Sequence, residues 1–353
     1  MTTRSIRSLP EQLEALDEAQ RRRFDALLEV SARVGRLEAP LSMHDWLTDR
    51  FGSVEAAERQ HVVKVRNRWT GEAAAFNDLR ARRPKPASAA QDAPPSDDFC
   101  EPETRTPADT FGRISGEHSI SAGNVAKYEW LHGLVILDTH DPLNWSEHQL
   151  VDAFTTARRW LVAANEQHPT ALYPFVLWNC SPRAGASVHH PHLQVMLADD
   201  GPPARVEAWR SAAVAYRLQT GRSYLDDLWA THDALELAGG TEVRWLAHLT
   251  PVKDRELVLL ARAFDDELAA AVWAASRFLI DELGVRAFNL ALYLRPLASV
   301  EEDWSELPAI ARIVDRGDPS SATNDIGAME LYGHPVIGAD PFDVASAARA
   351  ALG

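Results

Sequence analysis

The sequence predicts an α+β protein, and three observations carry that prediction. Short apolar runs bounded by turn residues are interleaved with long amphipathic runs from Phe99 onward, which alternates strands with helices. The order of these runs recurs in the second part of the chain, although no sequence identity links the two copies. Ahead of them lies a stretch of different character, helical at first and then rich in proline, alanine, serine and aspartate.

The elements follow in order. Residues 11–36, EQLEALDEAQRRRFDALLEVSARVGR, place Leu13, Leu16, Phe24, Leu27 and Leu28 at mostly helical spacing and predict an amphipathic helix. A second helical patch near 54–61 leads into VVKVRNRWTGE, which alternates as a strand does and turns at Thr70 and Gly71. The segment RRPKPASAAQDAPPSDD, 82–98, reads as a surface linker between this arm and the main body. In the body, HGLVILDTHDP predicts a buried strand ending in a turn, EHQLVDAFTTARRWLVAANEQ a helix capped by Ser146, and ALYPFVLWN and HLQVML two further strands. After a helical stretch from about 203 to 237, TEVRWLAHL and ELVLLA predict strands, FDDELAAAVWAASRFLIDEL a helix, and AFNLALYLRP a strand. The expected organisation is an N-terminal helical region over 1–64, a first half over 65–205 and a second half over 206–353.

At 353 residues and 46% hydrophobic composition, the chain has material for a sizeable core. Its formal net charge of -15 argues against nonspecific binding to nucleic acid or to an anionic membrane, because a phosphate surface is repelled by the field of the whole molecule. A small anionic substrate therefore needs a local cationic pocket. Two cysteines, Cys100 and Cys180, do not make a disulfide framework and suit a reducing compartment, so the cytoplasm is expected. The N-terminal MTTRSIRSLPEQLEAL has no apolar core of an export signal, and no run approaches the roughly 20 apolar residues of a spanning helix.

The chemistry concentrates in WNCSPRAGASVHHPHLQVML, residues 178–197. On a strand, HHPHLQVML points His190, His192 and Gln194 to one face and Pro191, Leu193 and Val195 to the other. A free imidazole at His192 is a candidate nucleophile, and its neighbour His190 is placed to be held by a metal or a hydrogen bond. The preceding SPRAGAS is small and polar, able to bring backbone N–H groups and a hydroxyl close to a phosphate. A single histidine on a strand is more often a surface or satisfied core group; the whole string suits attack on phosphorus.

The spacing of Asn179, Gly185, Ser187, His190, His192 and Gln194 resembles the active-site signature NxxxxxGxSxxHPHxQ of the galactose-1-phosphate uridylyltransferase family, in the histidine triad superfamily. The resemblance implies a histidine-triad-like fold of two tandem halves with mainly antiparallel sheets, and a ping-pong nucleotidyl transfer. It implies that His192 attacks the α-phosphorus, that Gln194 holds a nonbridging oxygen, that Ser187 and Gly185 cradle the phosphates, and that Asn179 orients the histidines or contacts the phosphates. A third histidine in place of Gln194 would aid a poor leaving group; glutamine has no titratable proton, so a phosphate leaving group of low pKa fits this strand best. VRNRWTGEAAAFNDLRARRP resembles the family's N-terminal segment, with Arg80, Arg83 and Pro84 in matching places, and implies that these arginines reach the nucleotide phosphates.

The resemblance also implies a structural zinc. Asp97 stands where the first cysteine of a CxxC pair is usual, Cys100 is the second position, and His140 and His190 fill the other two. His118 and His132 are assigned to structure or surface. The strand FNLALYLRP shows Asn289, Ala291 and Tyr293 where some members carry a histidine pair for a second metal, so that metal is expected to be absent. Gly327, Met329 and Glu330 match the family's C-terminal end, whereas Asn324 and Asp325 replace its lysine and phenylalanine in the segment that receives the sugar phosphate. The implied partners are a nucleotide sugar or nucleotide with a sugar phosphate or phosphate, in a homodimer, without an organic cofactor. A phosphorylase using the same histidine and a nucleotide-binding regulator without turnover are the other readings.

Overall fold

The computed structural model describes residues 4–77, 79, 94, 96–321, 323 and 326–353. Two short helices, Leu9–Glu14 and Glu18–Leu27, open the chain, the second capped by the Asp17 carboxylate accepting from the Gln20 N–H. The helix expected over 11–36 ends at Leu27. From Leu28 the residues Leu28, Val30, Ala32 and Val34 alternate, and β1 (Leu28–Arg36) pairs antiparallel along its whole length with β2 (Arg59–Asn67). The nine-residue ladder pairs the backbone groups of β1 that face β2, and the β-branched valines favour it. The N-terminal region is thus part helix and part sheet, and β2 runs across the expected boundary at 64 and 65. The strand β3 (Ala73–Phe76) completes the hairpin with β2, and β13 (Val336–Ile337) returns near the C-terminus to lie parallel to β3.

The main body is one nine-stranded sheet. Its strands are β4 (Ser119–Gly123), β5 (Leu131–Leu137), β6 (Tyr173–Cys180), β7 (His192–Ala198), β8 (Ala238–Gly239), β9 (Arg244–Ala247), β10 (Leu257–Ala261), β11 (Phe288–Tyr293) and β12 (Ala309–Asp315). The order is β4-β5-β7-β6-β11-β12-β10-β9-β8, with each neighbouring pair antiparallel. Numbered within each unit of two strands, helix and two strands, β4 to β9 reads 1-2-4-3 and then 3-4-2-1. The two units meet at the β6–β11 seam and form the two tandem halves. Three of these strands escaped the sequence reading, among them β8, which has only two residues. β4, SISAG, is short, small and polar, and β12, AIARIVD, carries Arg312 and Asp315 inside an apolar run.

One face of the sheet is covered by the helices Glu147–Gln167 and Asp266–Asp281, over a core that includes Val135, Leu193, Val195, Trp178, Leu290 and Ile313. The first helix is capped as expected, with the Ser146 hydroxyl accepting from the Gln149 N–H. Register fixes the opposite face. Leu134, Gln194, Leu177, Ala291 and Arg312 stand in one row across β5, β7, β6, β11 and β12. Over the second half this face is capped by Trp209 of the helix Ala204–Thr220 and by Glu72 from the turn between β2 and β3. Among the described residues no helix is long and apolar enough to cross a membrane.

Candidate active site and ligand cluster

His192 begins β7 and is buried. Its Nδ1–H donates to the His190 carbonyl at 2.8 Å, which leaves the Nε2 lone pair as the available nucleophile. Burial holds the imidazole below its ordinary pKa, so the neutral, nucleophilic form prevails near neutral pH. The edge of Phe99 lies against the ring, with centroids 5.1 Å apart.

Two residues along the same face, Gln194 is held by a group that sequence reasoning set aside. His132 on β5 accepts the Tyr128 N–H at Nδ1, 3.0 Å away, so its proton sits on Nε2 and donates to Gln194 Oε1 at 3.1 Å. Burial lowers the His132 pKa to about 4, which keeps this tautomer neutral. With its carbonyl engaged, Gln194 turns its amide N–H groups to other partners, and those are donors suited to a phosphate oxygen. His132, assigned from the sequence to structure or surface, is buried and orients Gln194. The only sequence signal was its place at the head of a buried strand.

Asn179 sits two residues beyond Leu177 on β6, and continuing the Leu177–Gln194 register brings it level with His192. Asn289 of β11 donates to Asn179 Oδ1 at 2.7 Å and to the Ala184 carbonyl at 2.9 Å, and Arg316 donates in turn to Asn289. The Asn179 amide N–H groups thus remain as its donors, aimed toward Gly185, whose added Cβ would stand 4.0 Å from Asn179 Nδ2. Gly185 has φ 97°, a left-handed conformation that closes the loop after Pro182–Ala184. Ser187 is exposed on the same loop. Asn289 and Arg316, reaching in from the second half, had no signal in the local sequence. Arg80, Arg83 and Pro84 lie outside the described residues, as do Asn324 and Asp325.

The four residues Asp97, Cys100, His140 and His190 converge, with candidate donor atoms all within 4.8 Å of one another. Cys100 Sγ is 3.3 Å from His140 Nδ1 and 3.8 Å from His190 Nδ1, and Asp97 Oδ1 is 3.3 Å from His190 Nδ1. A tetrahedral ion about 2.0–2.3 Å from each donor sets donor gaps of roughly 3.3–3.8 Å, close to these values. Both imidazoles are oriented from outside: His190 Nε2–H donates to the Leu137 carbonyl at 2.7 Å and His140 Nε2–H to the Pro94 carbonyl at 2.8 Å, so each Nδ1 lone pair faces the cluster. Asp97 Oδ2 is buried without a hydrogen-bond partner among the described residues, which a bound cation would satisfy. The donor set fits a metal. Cys180 does not join it; its thiol donates to the Pro142 carbonyl at 3.2 Å and burial pushes its pKa up.

No protein-family model and no curated protein matches the chain. Solved structures do. An ADP-glucose phosphorylase from Arabidopsis thaliana with bound ADP-glucose is 19% identical, superposes with a TM-score of 0.62, and is matched over 79% of this chain and 95% of that one. A galt-like protein from Arabidopsis thaliana is 18% identical with a TM-score of 0.61 over 79% and 96%. A uridylyltransferase is 16% identical with a TM-score of 0.57 over 81% and 97%. The chain has the fold of the galactose-1-phosphate uridylyltransferases. Identities this low establish the uridylyltransferase fold alone, and the chemistry rests on the residues just described.

Proposed function

We propose that this chain is a nucleotidyltransferase that moves a nucleoside monophosphate from a nucleotide sugar to a phosphate acceptor through a covalent intermediate on His192. The observation that carries the reading is the His192 ring itself: neutral, oriented by the His190 carbonyl, with Nε2 unengaged among the described residues and the Gln194 amide two residues along the same face. In the first half-reaction Nε2 attacks the α-phosphorus, a P–N bond forms, and the bond to the bridging oxygen breaks, releasing the sugar 1-phosphate. The proton stays on Nδ1, which goes on donating to the His190 carbonyl, and the cationic phosphoramidate is a good electrophile for the second step. There an acceptor phosphate oxygen attacks the same phosphorus and returns the electron pair of the P–N bond to Nε2. Gln194 donates to a nonbridging oxygen, where charge accumulates, and Asn179 and the Gly185 turn supply further donors; removing one such donor typically costs 10²–10³ in kcat. His190 fixes the backbone that orients His192, Ser187 lies on the phosphate-side loop, and Arg80 and Arg83 supply the positive charge that a chain of net charge -15 otherwise lacks.

Two acceptors fit this chemistry, a sugar 1-phosphate and inorganic phosphate. Asn324 and Asp325 stand where the resemblance expects a lysine and a phenylalanine in the sugar phosphate segment, which favours inorganic phosphate and hence a phosphorylase. The ADP-glucose phosphorylase among the structural neighbours supports the same acceptor. Zinc is proposed for Asp97, Cys100, His140 and His190; bound there, it supplies charge and a cross-link that pins the segment before β4 to the strand carrying His192.

Intact-protein mass spectrometry tests the proposal. Incubation with ADP-glucose, UDP-glucose and related donors, quenched at alkaline pH to preserve the phosphoramidate, is expected to add a nucleoside monophosphate to the wild type and nothing to His192→Ala. Persistence of the adduct in His192→Ala overturns the assignment. Adding inorganic phosphate or a hexose 1-phosphate to the isolated adduct then identifies the acceptor by which one discharges it.

A further inference from the structure

We propose that Glu117, His118 and His148 form a second metal site, separate from the cluster at Cys100, that takes a divalent transition ion of the zinc class. The candidate donor atoms of the three residues lie within 4.8 Å of one another. His118 Nε2 is 3.8 Å from Glu117 Oε1 and His148 Nε2 is 3.7 Å from Glu117 Oε2, so one carboxylate is flanked by two imidazole nitrogens. The rings meet edge to face with centroids 4.9 Å apart. Two nitrogens and one oxygen are the donor types zinc accepts, and three protein donors leave a position for water or a phosphate oxygen.

What distinguishes this trio from charged groups that merely share a surface is the scaffold behind it. His118 Nδ1–H donates to Asp138 Oδ2 at 2.7 Å, which fixes the tautomer and leaves the Nε2 lone pair facing Glu117. Asp138 is itself held by Gln149, whose amide donates to Oδ1 at 2.7 Å. The backbone N–H groups of Glu117 and His118 both donate to the Asp152 carboxylate, at 2.9 and 3.0 Å. Gly116 permits that approach, since an added Cβ would come within 2.3 Å of Asp152 Oδ2. His148 and Asp152 belong to the same helix, Glu147–Gln167, so one rigid element carries a ligand and the anchor of the other two. Glu117 and His118 line the same cavity, of about 660 Å³, as Cys100, His140 and His190. An ion at this site has solvent on one side and that cavity on the other. With three donors instead of four and no thiolate, it binds more weakly than an ion at the Cys100 cluster and exchanges.

Titration of the chelator-stripped full-length protein with cobalt(II) separates the two sites. The expected result is a weak equivalent without thiolate-to-cobalt charge transfer, in addition to any tight equivalent that shows it. His148→Ala, a substitution at an exposed position, should remove the weak equivalent or weaken it by about 10-fold or more, and Asp138→Asn should weaken it by about 10–100-fold, while the charge-transfer band is untouched. Cys100→Ser should abolish the band and leave the weak equivalent in place. A weak equivalent that ignores His148→Ala and Glu117→Gln, or its absence from the wild type, overturns the proposal. Failure of the Cys100 cluster shows as a missing band and leaves this test readable.

Discussion

The row Leu134, Gln194, Leu177, Ala291, Arg312 crosses from one half of the molecule into the other, and its two polar members have opposite fates. Gln194 and Arg312 occupy the same place in their units, each on the fourth strand and each opposite an inner-strand residue, Leu177 or Ala291, that pairs across the seam. Among the described residues the Gln194 side chain has one hydrogen bond, from His132, and keeps its donors. Arg312 spends its donors on fixed partners, Nε on Glu256 at 2.5 Å and Nη1 on Glu72 at 2.7 Å and Tyr293 at 3.1 Å, while Nη2 is buried without a hydrogen-bond partner among the described residues and the guanidinium lies 5.1 Å above the Trp209 ring. The N-terminal turn that supplies Glu72 fills the space over this half of the sheet. One topology used twice has become a reaction surface in one copy and a docking surface for the rest of the chain in the other.

The largest effect expected from that contrast is chemical. His192→Ala removes the nucleophile and should lower turnover by about 10⁴-fold or more, since losing one member of a covalent machinery costs nearly as much as losing all of it. Steady-state kinetics with whichever donor labels the protein measures this. The equivalent step along the second half, from Arg312 back two residues, is the buried Ile310, with no chemistry to lose. Ile310→Val should therefore leave kcat within about 2-fold and cost only about 0.5–1.5 kcal/mol of stability.

Next in size is the mirror experiment. Arg312→Ala leaves the fully enclosed Glu256 without its cation, whereas Glu72 keeps Arg205 at 2.8 Å and the Trp209 N–H, and breaking a buried pair typically costs 3–5 kcal/mol. Urea unfolding followed by fluorescence reads the loss, and turnover per folded molecule should be unchanged within about 2-fold. A fall in kcat at constant folded fraction would mean that the second half takes part in the reaction, and the division of labour would fail.

This contrast also marks what could be read from the sequence. The string from Asn179 to Gln194 was legible because a strand with its preceding loop puts all its chemistry within sixteen consecutive residues, where spacing maps directly onto a face. The ligand quartet was legible through resemblance, although it joins three separate segments. The Glu72–Arg312 pair spans 240 residues and the Asn289–Asn179 bond 110, and no local periodicity encodes contacts of that range. His132 and His118 look alike in sequence, single histidines outside any motif. Only the fold shows that one orients Gln194 and the other faces Glu117. β1 was read as helix because Leu27 and Leu28 close a helical stripe and also open an alternating one, and the choice is made by β2 arriving opposite.

A smaller effect separates two residues within the first half. Gln194→Ala should lower kcat by about 10²-fold with little change in KM, as befits a donor whose bond strengthens in the transition state. His132→Phe leaves the amide in place but unoriented and should cost less, about 10-fold. The double variant then decides whether His132 acts through Gln194. If it does, adding His132→Phe to Gln194→Ala changes kcat by less than 2-fold; additive losses would give His132 a role of its own.

The subtlest test uses acid. His232 is buried in the second half, its Nδ1–H donating to the Leu228 carbonyl at 2.8 Å while Nε2 accepts the Leu249 N–H at 3.2 Å, and burial lowers its pKa to about 4. In the unfolded chain a histidine titrates near about 6.5. Between those values the unfolded state binds a proton that the native state refuses, so stability is complete above about pH 6.5 and falls as the pH drops toward 4. His132, also lowered to about 4, contributes a limb of the same sign from the first half. Activity has its own acid limb, because protonation of His192 at Nε2 removes the nucleophile, and burial places that limb below the ordinary histidine range. His232→Gln keeps an acceptor near the Leu249 N–H and takes away the proton. Unfolding free energies between pH 4.5 and 7 should then lose about one proton's worth of slope, while the acid limb of kcat/KM stays where it was. If that limb moves with His232→Gln, protonation in the second half is felt at the reacting face, and the two copies are coupled instead of divided.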